Sequence, residues 1–398
     1  MNKRSHVLIS GAGIGGLTAA LSLLRKGFDC DVYEHASELR EVGAGLWLSY
    51  NGARVLFALG LEQDLGSHAI EFEERLVRLW NTGQSWQLYK RAPGAPVAYQ
   101  PYALLRAHLL HLLGDAVEKL KPGAIHLNAR CIGFDQNEHG VELQLDGGSV
   151  SGDVLVGADG VHSRVRDSVV GPVQSHYTKA IAWRGLVPME RLSKHQRRYI
   201  QVNWLGPNSH CTVYPVRWQG SELLTFSGQI ETETWEAESW SKKGNVAECV
   251  RAFVGWHEDV VEMVSNVQTL HKWGLFVRDP LPHWSVGRVT LLGDACHSMV
   301  PYLGQGVNTA IEDAYVLARC LEQQPDEPSQ ALLRYQAARM KRANHVVSQS
   351  LAMQPVLHNP ALADSRTASD YVSRLWSPAE FKARQDWIYG YDATKVPI

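Results

Sequence analysis

The sequence of 398 residues predicts an α/β fold in which a second, mainly antiparallel β domain is inserted into the first domain. Three observations support this prediction. The chain opens with a strand–turn–helix–strand pattern, its middle part from about 172 to 277 holds strands of alternating polarity, and strand and helix patterns return after 277. A chain of this length corresponds to about two or three domains. An insertion explains the order of the patterns better than domains joined end to end.

The composition is that of a globular protein with no bias toward a charged partner. Hydrophobic residues make up 45% and charged residues 20%, and the formal charge at pH 7 is −2. This balance gives no electrostatic basis for binding nucleic acid or an anionic membrane. The six cysteines show no C-x-x-C pair or zinc-ligand spacing, so we expect free thiols, no metal site and a cytoplasmic location. The uncharged run 7–24 is interpreted as the first strand and helix, not as a signal peptide or a membrane span.

The first segment is predicted to be a β–α–β unit that binds a dinucleotide. Residues 6–10 form an apolar strand, residues 17–26 predict a helix, and residues 29–34 predict a second strand. The turn between them fits G-x-G-x-x-G and reads Gly11-Ala12-Gly13-Ile14-Gly15-Gly16. Its glycines permit a tight turn and a close approach of backbone to a pyrophosphate at the helix N-terminus. Glu34 ends the second strand, where a carboxylate suits ribose hydroxyls. The motif alone does not distinguish NAD from FAD.

Later elements follow from the same periodicities. Residues 51–60 and 103–120 are predicted helices, and residues 124–157 hold short strands with a hairpin at Asp146-Gly147-Gly148. Alternating runs at 177–187, 210–216 and 222–229 predict an antiparallel sheet with one exposed face. A strand at 288–292 and helices at 306–323 and 328–350 return to the first domain.

Two further strands are predicted to end in an acid. One reads Asp153-Val-Leu-Val-Gly157-Ala-Asp159-Gly160, and the other runs from Arg288 to Gly293-Asp294. Ligands in α/β folds bind at the carboxyl ends of the strands, so both aspartates are candidate cofactor residues. The alternative for each is an aspartate that only stabilises a turn beside a glycine.

Together with the glycine motif, these segments resemble the FAD-dependent aromatic monooxygenases, the class A flavoproteins that include para-hydroxybenzoate hydroxylase. The three motifs occur in the order and spacing of that family, and the resemblance covers nearly the whole chain. The sequence is most similar to the salicylate hydroxylase and 6-hydroxynicotinate 3-monooxygenase group. The fragments that carry this similarity are Glu41-Val-Gly-Ala-Gly-Leu46, Trp183-Arg-Gly-Leu-Val-Pro188 and Gly304-Gln-Gly-Val-Asn308.

The resemblance implies a Rossmann-type FAD-binding domain with an inserted substrate domain. The FAD-binding domain would comprise 1–71, 103–171 and 278–355, the substrate domain 72–102 and 172–277, and residues 356–398 a C-terminal helical segment. Glu34 would hold the adenosine ribose and Asp294 the ribityl chain, while Asp159 would serve the pyrophosphate region and nicotinamide binding. The other residues implied to contact FAD are Gly45, Arg106, Gly304, Gly306 and Asn308. Around Arg106 the sequence departs from the family's Arg-x-Asp-Leu pattern.

The resemblance also implies the reaction and a candidate base. Bound FAD would be reduced by NADH or NADPH and would react with O2 to form a flavin hydroperoxide, which hydroxylates a phenol or hydroxypyridine carboxylate. Ring attack requires an electron-rich ring, and a histidine is suited to remove the hydroxyl proton. His210 and Tyr214 match the segment that supplies the base in related hydroxylases, and they share one strand face. Arg184 and Arg217 are the nearest cationic candidates for a substrate carboxylate, with a solvated strand arginine as the equal alternative for each.

Other interpretations remain open from the sequence alone. A lone strand histidine such as His210 is more often structural than catalytic. An enzyme of the same fold could oxidise or epoxidise a larger neutral substrate, and an FAD-bearing interaction protein could lack turnover. We expect a monomer or a homodimer whose other partner is a small aromatic molecule. The choice between NADH and NADPH is not set by any motif, because this fold has no second dinucleotide fingerprint.

Overall fold

The computed structural model describes residues 5–39, 45–91, 101–235 and 243–398. The strands of these residues are β1 (His6–Ser10), β2 (Asp29–Tyr33), β3 (Gly45–Leu48), β4 (Ile70–Glu71), β5 (Glu74–Leu79), β6 (Ser85–Lys90), β7 (Tyr102–Leu105), β8 (Ile125–His126), β9 (Cys131–Gln136), β10 (Val141–Leu145), β11 (Gly148–Gly152), β12 (Val154–Gly157), β13 (Ser175–Pro188), β14 (Ile200–Gly206), β15 (Ser209–Trp218), β16 (Ser221–Glu231), β17 (Thr269–Arg278), β18 (Ser285–Val286) and β19 (Val289–Leu291).

Helices occur before, within and after the strand-rich middle of the chain. They are α1 (Ile14–Arg25), α2 (Tyr50–Ala58), α3 (Glu62–His68), α4 (Arg106–Leu120), α5 (Arg164–Val170), α6 (Val246–Ala252), α7 (Glu258–Ser265), α8 (Asp294–His297), α9 (Gly306–Gln323), α10 (Pro328–Ala352), α11 (Gln354–Leu357), α12 (Ser365–Leu375) and α13 (Pro378–Tyr389). None of the described helices is long and apolar enough to cross a membrane.

A six-stranded sheet forms the centre of the first part of the fold. Its order is β18-β19-β12-β1-β2-β8, and all pairings except β18–β19 are parallel. Buried apolar residues of these strands pack against α1, α4 and α9 in the largest core. The carboxyl ends of β1, β12 and β19 therefore meet at one edge, and the predicted ligand motifs follow those three strands.

A seven-stranded sheet is built from the middle of the chain. Its order is β17-β13-β16-β15-β14-β5-β6, and only the β14–β5 pairing is parallel. One face packs on α6 and α7 through a core that includes Trp183, Trp204 and Phe253. The α/β fold with a second, mainly antiparallel sheet is thus confirmed. The domain boundaries themselves stay a prediction.

The C-terminal segment packs against the second sheet and against helices α2 and α9 of the first part of the fold. Leu362, Tyr371 and Val372 form a core with apolar residues of β5, β6 and β14. Two arginines of the first part of the fold bind the last residues of the chain. Arg54 donates to the carbonyl of Tyr389 at 2.6 Å, and Arg319 donates to the carbonyls of Ala393 and Val396. This segment covers the open face of the second sheet.

Several predicted elements are corrected by the structure. The helix expected at 103–120 begins only at Arg106, because the fully buried run Tyr102–Leu105 is a strand paired with β3 and β4. Ile14 to Gly16 belong to α1 and not to the preceding turn. The prediction that one face of the second sheet is exposed is wrong for β15, whose residues are buried on both faces along most of the strand. The hairpin at 146–148 is confirmed by the β10–β11 pairing. Of the predicted fragment 41–46, residues 41–44 lie outside the described residues, and the last two belong to β3.

Candidate active site

A cavity of about 370 Å³ lies where the two sheets and the C-terminal segment meet. One wall, here called the cofactor side, consists of backbone-rich turns at the strand ends of the first sheet. The opposite wall, here called the sheet side, consists of polar residues on the inner face of the second sheet. The cofactor side comprises Gly13–Gly15, Ala158, Gly160, Leu292–Asp294 and Gly304–Val307; the sheet side comprises Arg184, Gln201, Asn203, His210, Thr212, Tyr214, Ser227 and Gln229.

The glycine turn leaves bare backbone at the start of α1. Gly11 has a φ of +104°, and a Cβ there would lie 2.5 Å from the carbonyl oxygen of Ala158, which directly follows the neighbouring strand β12. At Gly13 a Cβ would meet no protein atom within 4 Å, so this residue faces open space in the cavity. Gly15 lines the same cavity, while Gly16 packs inside the turn. A helix N-terminus with exposed backbone and adjoining space fits a pyrophosphate.

Glu34 lies directly after β2, beside the glycine turn. Its carboxylate accepts hydrogen bonds from the backbone N–H of Ala12 at 2.8 Å and of Ala36 at 2.9 Å, and it pairs with His35. The side chain keeps 12% of its surface exposed. The loop therefore holds the carboxylate in place with room for further donors, as ribose hydroxyls would be.

The two strand-end aspartates face different surroundings. The carboxylate of Asp159 accepts hydrogen bonds from Ser163 at 2.5 Å and from the backbone of Arg164 at 2.8 Å, so it caps α5 and orders the loop whose neighbours Ala158 and Gly160 line the cavity. Burial raises the pKa of the Asp159 carboxyl, and the hydrogen bonds, which act in the opposite direction, offset only part of this effect. Asp294 lines the cavity, and the described part of the chain gives its carboxylate no hydrogen-bond partner. That free acceptor fits the hydroxyls of a ribityl chain.

The start of α9 forms another part of the cofactor side. Gly304 has a φ of +63° and ends a tight turn, after which Gly306 begins the helix. The amide of Asn308 is fully buried and does not reach the cavity. It donates to the carbonyls of Trp47 and Gly304 and accepts from the N–H of Ser49, so it fixes the turn in place. The helix N-terminus thus presents its backbone to the cavity, where it favours negative charge.

Gly45 and Arg106 lie where the two walls come together. A Cβ at Gly45 would lie 2.9 Å from the hydroxyl of Tyr214, so a glycine is required for β3 to approach the second sheet this closely. Arg106 is the first residue of α4, and its side chain lines the cavity. With the glycine turn, Asp294 and the start of α9, these residues form a set that fits FAD: donors and a cation for its phosphates and an unused acceptor for its hydroxyls.

The sheet side brings the predicted catalytic residues into the same cavity. His210, Thr212 and Tyr214 all line it, as the alternation of β15 predicts. On the neighbouring strand Gln229 lies opposite His210, and Thr225 lies opposite Tyr214. Burial raises the pKa of Tyr214 to about 12, so its hydroxyl remains a hydrogen-bond donor at neutral pH.

His210 is buried, with 3% of its surface exposed. Its Nδ1 lies 2.7 Å from Nε2 of His358, a residue of the C-terminal segment. Its Nε2 has no hydrogen-bond partner among the described residues and is the ring nitrogen left for a ligand in the cavity. Burial, followed by the nearby His358, lowers the pKa of His210 well below its ordinary value. The imidazole is therefore neutral at physiological pH.

Arginines dominate the charge of the cavity. Arg75, Arg106, Arg184 and Arg384 line it, whereas Asp294 is the sole acid among the described lining residues. Arg184 stacks over Trp273, and its buried Nε has no hydrogen-bond partner in the described structure.

Two other arginines are less suited to bind a substrate carboxylate, because one is already hydrogen-bonded within the protein and the other lies outside the cavity lining. Arg75 donates to the side-chain oxygens of Gln201 and Gln385 and lies between two aromatic rings. Arg217, the other cation considered from the sequence, is exposed against Tyr199 and is not part of the lining. Arg184 is therefore the better placed of the two cations predicted to meet a substrate carboxylate.

Several residues of the site were not predicted from the sequence, among them Gln201, Asn203, Ser227 and Gln229 on the sheet side and four others. Arg75 comes from β5, Arg384 and Gln385 come from α13, and His358 follows α11. No motif marks them, because each reaches the cavity through the packing of elements that are distant along the chain.

Comparisons with known proteins agree with this geometry. The family described as "FAD binding domain" matches residues 4–350. A 3-amino-4-hydroxybenzoate 2-monooxygenase of Streptomyces platensis is 38% identical over 399 residues, covering 99% of this chain and 98% of the relative. A 6-hydroxynicotinate 3-monooxygenase of Bordetella bronchiseptica is 31% identical over 404 residues, covering 100% and 98%. The chain therefore belongs to the FAD-binding family of monooxygenases.

Solved structures show the same fold. The HpxO protein of Klebsiella pneumoniae, in complex with FAD and uric acid, aligns with a TM-score of 0.81 at 26% identity over 98% of this chain and 96% of that one. A salicylate hydroxylase substrate complex aligns with a TM-score of 0.80 at 23% identity over 99% and 97%. The protein is an FAD-dependent monooxygenase of the aromatic hydroxylase type.

Proposed function

We propose that the protein hydroxylates the ring of a phenolic carboxylate of the aminohydroxybenzoate type, with NADH or NADPH as reductant and O2 as co-substrate. The observation that carries this proposal is the shared cavity, in which a wall suited to FAD faces a buried histidine with a free ring nitrogen. Relatives that cover the whole chain are named for aminohydroxybenzoate and hydroxynicotinate.

Residues of the cofactor side, together with Arg106 and with Glu34 beside the glycine turn, would hold FAD. The turn at Gly13 and Arg106 would bind the pyrophosphate, Glu34 the ribose, and Asp294 the ribityl chain, while the start of α9 would stabilise negative charge on the flavin ring. When bound, the cofactor supplies the reducing electrons and the activated oxygen.

His210 would act as the general base in this cavity. A phenol whose hydroxyl points at Nε2 would lose its proton to that nitrogen, which makes the ring more electron-rich at the moment of oxygen transfer. The neutral state of the buried imidazole is the state that can accept a proton. Tyr214 keeps its proton and would donate a hydrogen bond to the substrate or the cofactor edge.

Two side chains would select the substrate's other groups. Arg184 would bind the carboxylate, because its guanidinium faces the cavity and its buried Nε has no acceptor in the described structure. Gln229 lies opposite His210; its buried Oε1 has no donor among the described residues, while its Nε2 donates to Ser227. That oxygen is placed to accept from an amino group next to the phenol hydroxyl.

The test is a panel of hydroxybenzoates, aminohydroxybenzoates and hydroxypyridine carboxylates, each paired with its carboxamide. We expect the acids to stimulate oxidation of NADH or NADPH and to yield hydroxylated product, and the amides to do so poorly. In Arg184→Gln the KM for the acid should rise about 10- to 100-fold, because a hydrogen bond to a charged group contributes about 1.5–3 kcal/mol. The matched control Arg217→Gln should leave KM unchanged. Equal turnover of acid and amide would reject a carboxylate-binding pocket, and a panel without any stimulation would reject the proposed reaction.

A further inference from the structure

His210 is the inner end of a chain of three hydrogen-bonded side chains. Nδ1 of His210 lies 2.7 Å from Nε2 of His358, and Nδ1 of His358 lies 2.9 Å from Oε1 of Glu231. The two imidazoles are buried, at 3% and 2% exposure, whereas the Glu231 side chain is 34% exposed. The chain therefore begins in the cavity and ends at water.

The carboxylate at the outer end fixes both histidine tautomers. An ionised Glu231 only accepts hydrogen bonds, so Nδ1 of His358 must carry the proton. Nε2 of a neutral His358 is then an acceptor, and Nδ1 of His210 must donate to it. The remaining nitrogen of His210, the Nε2 that faces the cavity, is left with its lone pair. This is the tautomer that a base requires.

We propose that His358 and Glu231 form a proton relay that carries the proton taken up by His210 out of the cavity. The proposal rests on the proposed hydroxylation of a phenol. When Nε2 of His210 takes the hydroxyl proton, its Nδ1 proton passes to Nε2 of His358, and the Nδ1 proton of His358 passes to Glu231. Three N–H or O–H bonds form and three break, and both imidazoles remain neutral. The reverse sequence returns a proton to the oxygen when the hydroxylated ring regains its aromaticity.

Burial explains why His210 needs such an outlet. Desolvation lowers the pKa of His210 and of His358, so a cation on either ring would be costly in the buried site. Tyr302 also packs against both rings, and it cannot accept a proton because burial raises its pKa. Glu231 has to hold the proton only until water takes it, so the pH of the solvent sets the extent of ionisation and the relay sets its rate.

The backbone holds the two outer members of the relay together. Asn208, in the left-handed region at a φ of 56°, forms the turn between β14 and β15. Its N–H donates to the carbonyl of His358, and its carbonyl accepts from the N–H of Glu231. The side chain of Gln354 also donates to Oε1 of Glu231 at 3.3 Å. Glu231 and His358 are positioning residues, because they act on the substrate only through His210.

The test compares Glu231→Gln with Glu233→Gln in the FAD-loaded protein. A glutamine at 231 keeps the size and the acceptor oxygen that orient His358, but it cannot take up a proton. Glu233 lies two residues away, is 82% exposed and pairs with Lys179, so it serves as the matched control. Rapid mixing with 3-amino-4-hydroxybenzoate, in the absence of reductant, follows the absorbance of the bound phenolate. We expect Glu231→Gln to slow phenolate formation about 100-fold, with the dissociation constant of the acid unchanged.

Two results would overturn the relay. One is a Glu231→Gln variant that ionises the phenol as fast as Glu233→Gln, which would leave Glu231 with an orienting role only. The other comes from ¹⁵N NMR of histidine-labelled, substrate-free protein, with signals assigned through His210→Gln and His358→Gln: a proton on Nε2 of His210 contradicts the proposed tautomers. Failure of the proposed function can be distinguished from failure of the relay. It would appear as absent turnover in the parent protein, whereas the NMR measurement of the histidine tautomers does not depend on turnover.

Discussion

Replacing His210 with glutamine separates ring hydroxylation from consumption of the reductant. The variant loses the nitrogen that accepts the hydroxyl proton, and the neighbouring lining residues Gln229, Thr212 and Ser227 do not ionise near neutral pH. Tyr302 cannot replace the base, because burial raises its pKa. General-base catalysis contributes about 10²- to 10⁴-fold, or roughly 3–5 kcal/mol of barrier. We expect ring hydroxylation to slow by that factor.

The assay measures product and hydrogen peroxide per NADH or NADPH oxidised. Reduction of the cofactor does not require the imidazole, so His210→Gln should still oxidise the reductant when substrate is present, with peroxide replacing product. Because burial lowers the pKa of His210, its imidazole in the parent protein should stay neutral even somewhat below pH 6.5. The loss of product yield on the acidic side should therefore set in below pH 6.5. The variant should lack this inflection. His176→Gln, an exposed histidine on β13, is the control. A fully coupled His210→Gln with parental rates would refute the assignment and make Tyr214 the next residue to test.

Further predictions concern cofactor binding and stability. Asp294→Ala should lower the FAD content of the purified protein, measured by flavin absorbance, because it removes the free acceptor on the cofactor side; an unchanged content would contradict the ribityl assignment. Glu34→Arg should also weaken FAD retention, since a cation replaces the ribose acceptor, and retention equal to the parent would contradict that contact. Arg339→Met should lower the free energy of unfolding by about 3–5 kcal/mol in denaturant titration, because it leaves the fully buried Glu312 and Asp313 without their shared cation. A loss under 1 kcal/mol would show that this cluster does not stabilise the fold.

The cofactor side could be predicted from the sequence because its signals are local. A strand, a glycine turn and a helix lie within one short segment, and the carboxyl ends of parallel strands meet at one edge by the rules of α/β folds. The positions of Gly13 and Asp294 in the cavity follow from these rules. Asn308 shows the limit of such motifs: it was expected to contact FAD, but its side chain holds the turn together and is not part of the cavity lining.

The rest of the site depends on long-range packing. His358 meets His210 across 148 residues, in a segment without a recognisable motif, so the sequence predicts one histidine of the pair and not the other. The helix expected from residue 103 was wrong at its start because a short buried apolar run has no period that separates strand from helix. The exposed sheet face was wrong because strand alternation does not reveal what later elements cover.

The net positive charge of the cavity lining favours a bound phenolate over the neutral phenol. Arg184 lies on β13, which is separated from β15 by β16. It is in register with Thr212, two residues along β15 from His210, so the Cα atoms of Arg184 and His210 are about 12 Å apart. At an effective dielectric constant of about 20, a cation about 12 Å from a phenolate stabilises it by about 1.4 kcal/mol, but a substrate carboxylate paired with Arg184 largely offsets the contribution of this residue. Arg75 and Arg384 are lining cations not assigned to the carboxylate, so they favour the phenolate, and Asp294 is the sole described lining acid that opposes them. The arginines therefore lower the pKa of the substrate, and because the proposed relay passes the proton on to Glu231, the transfer does not require a lasting cation on the buried His210.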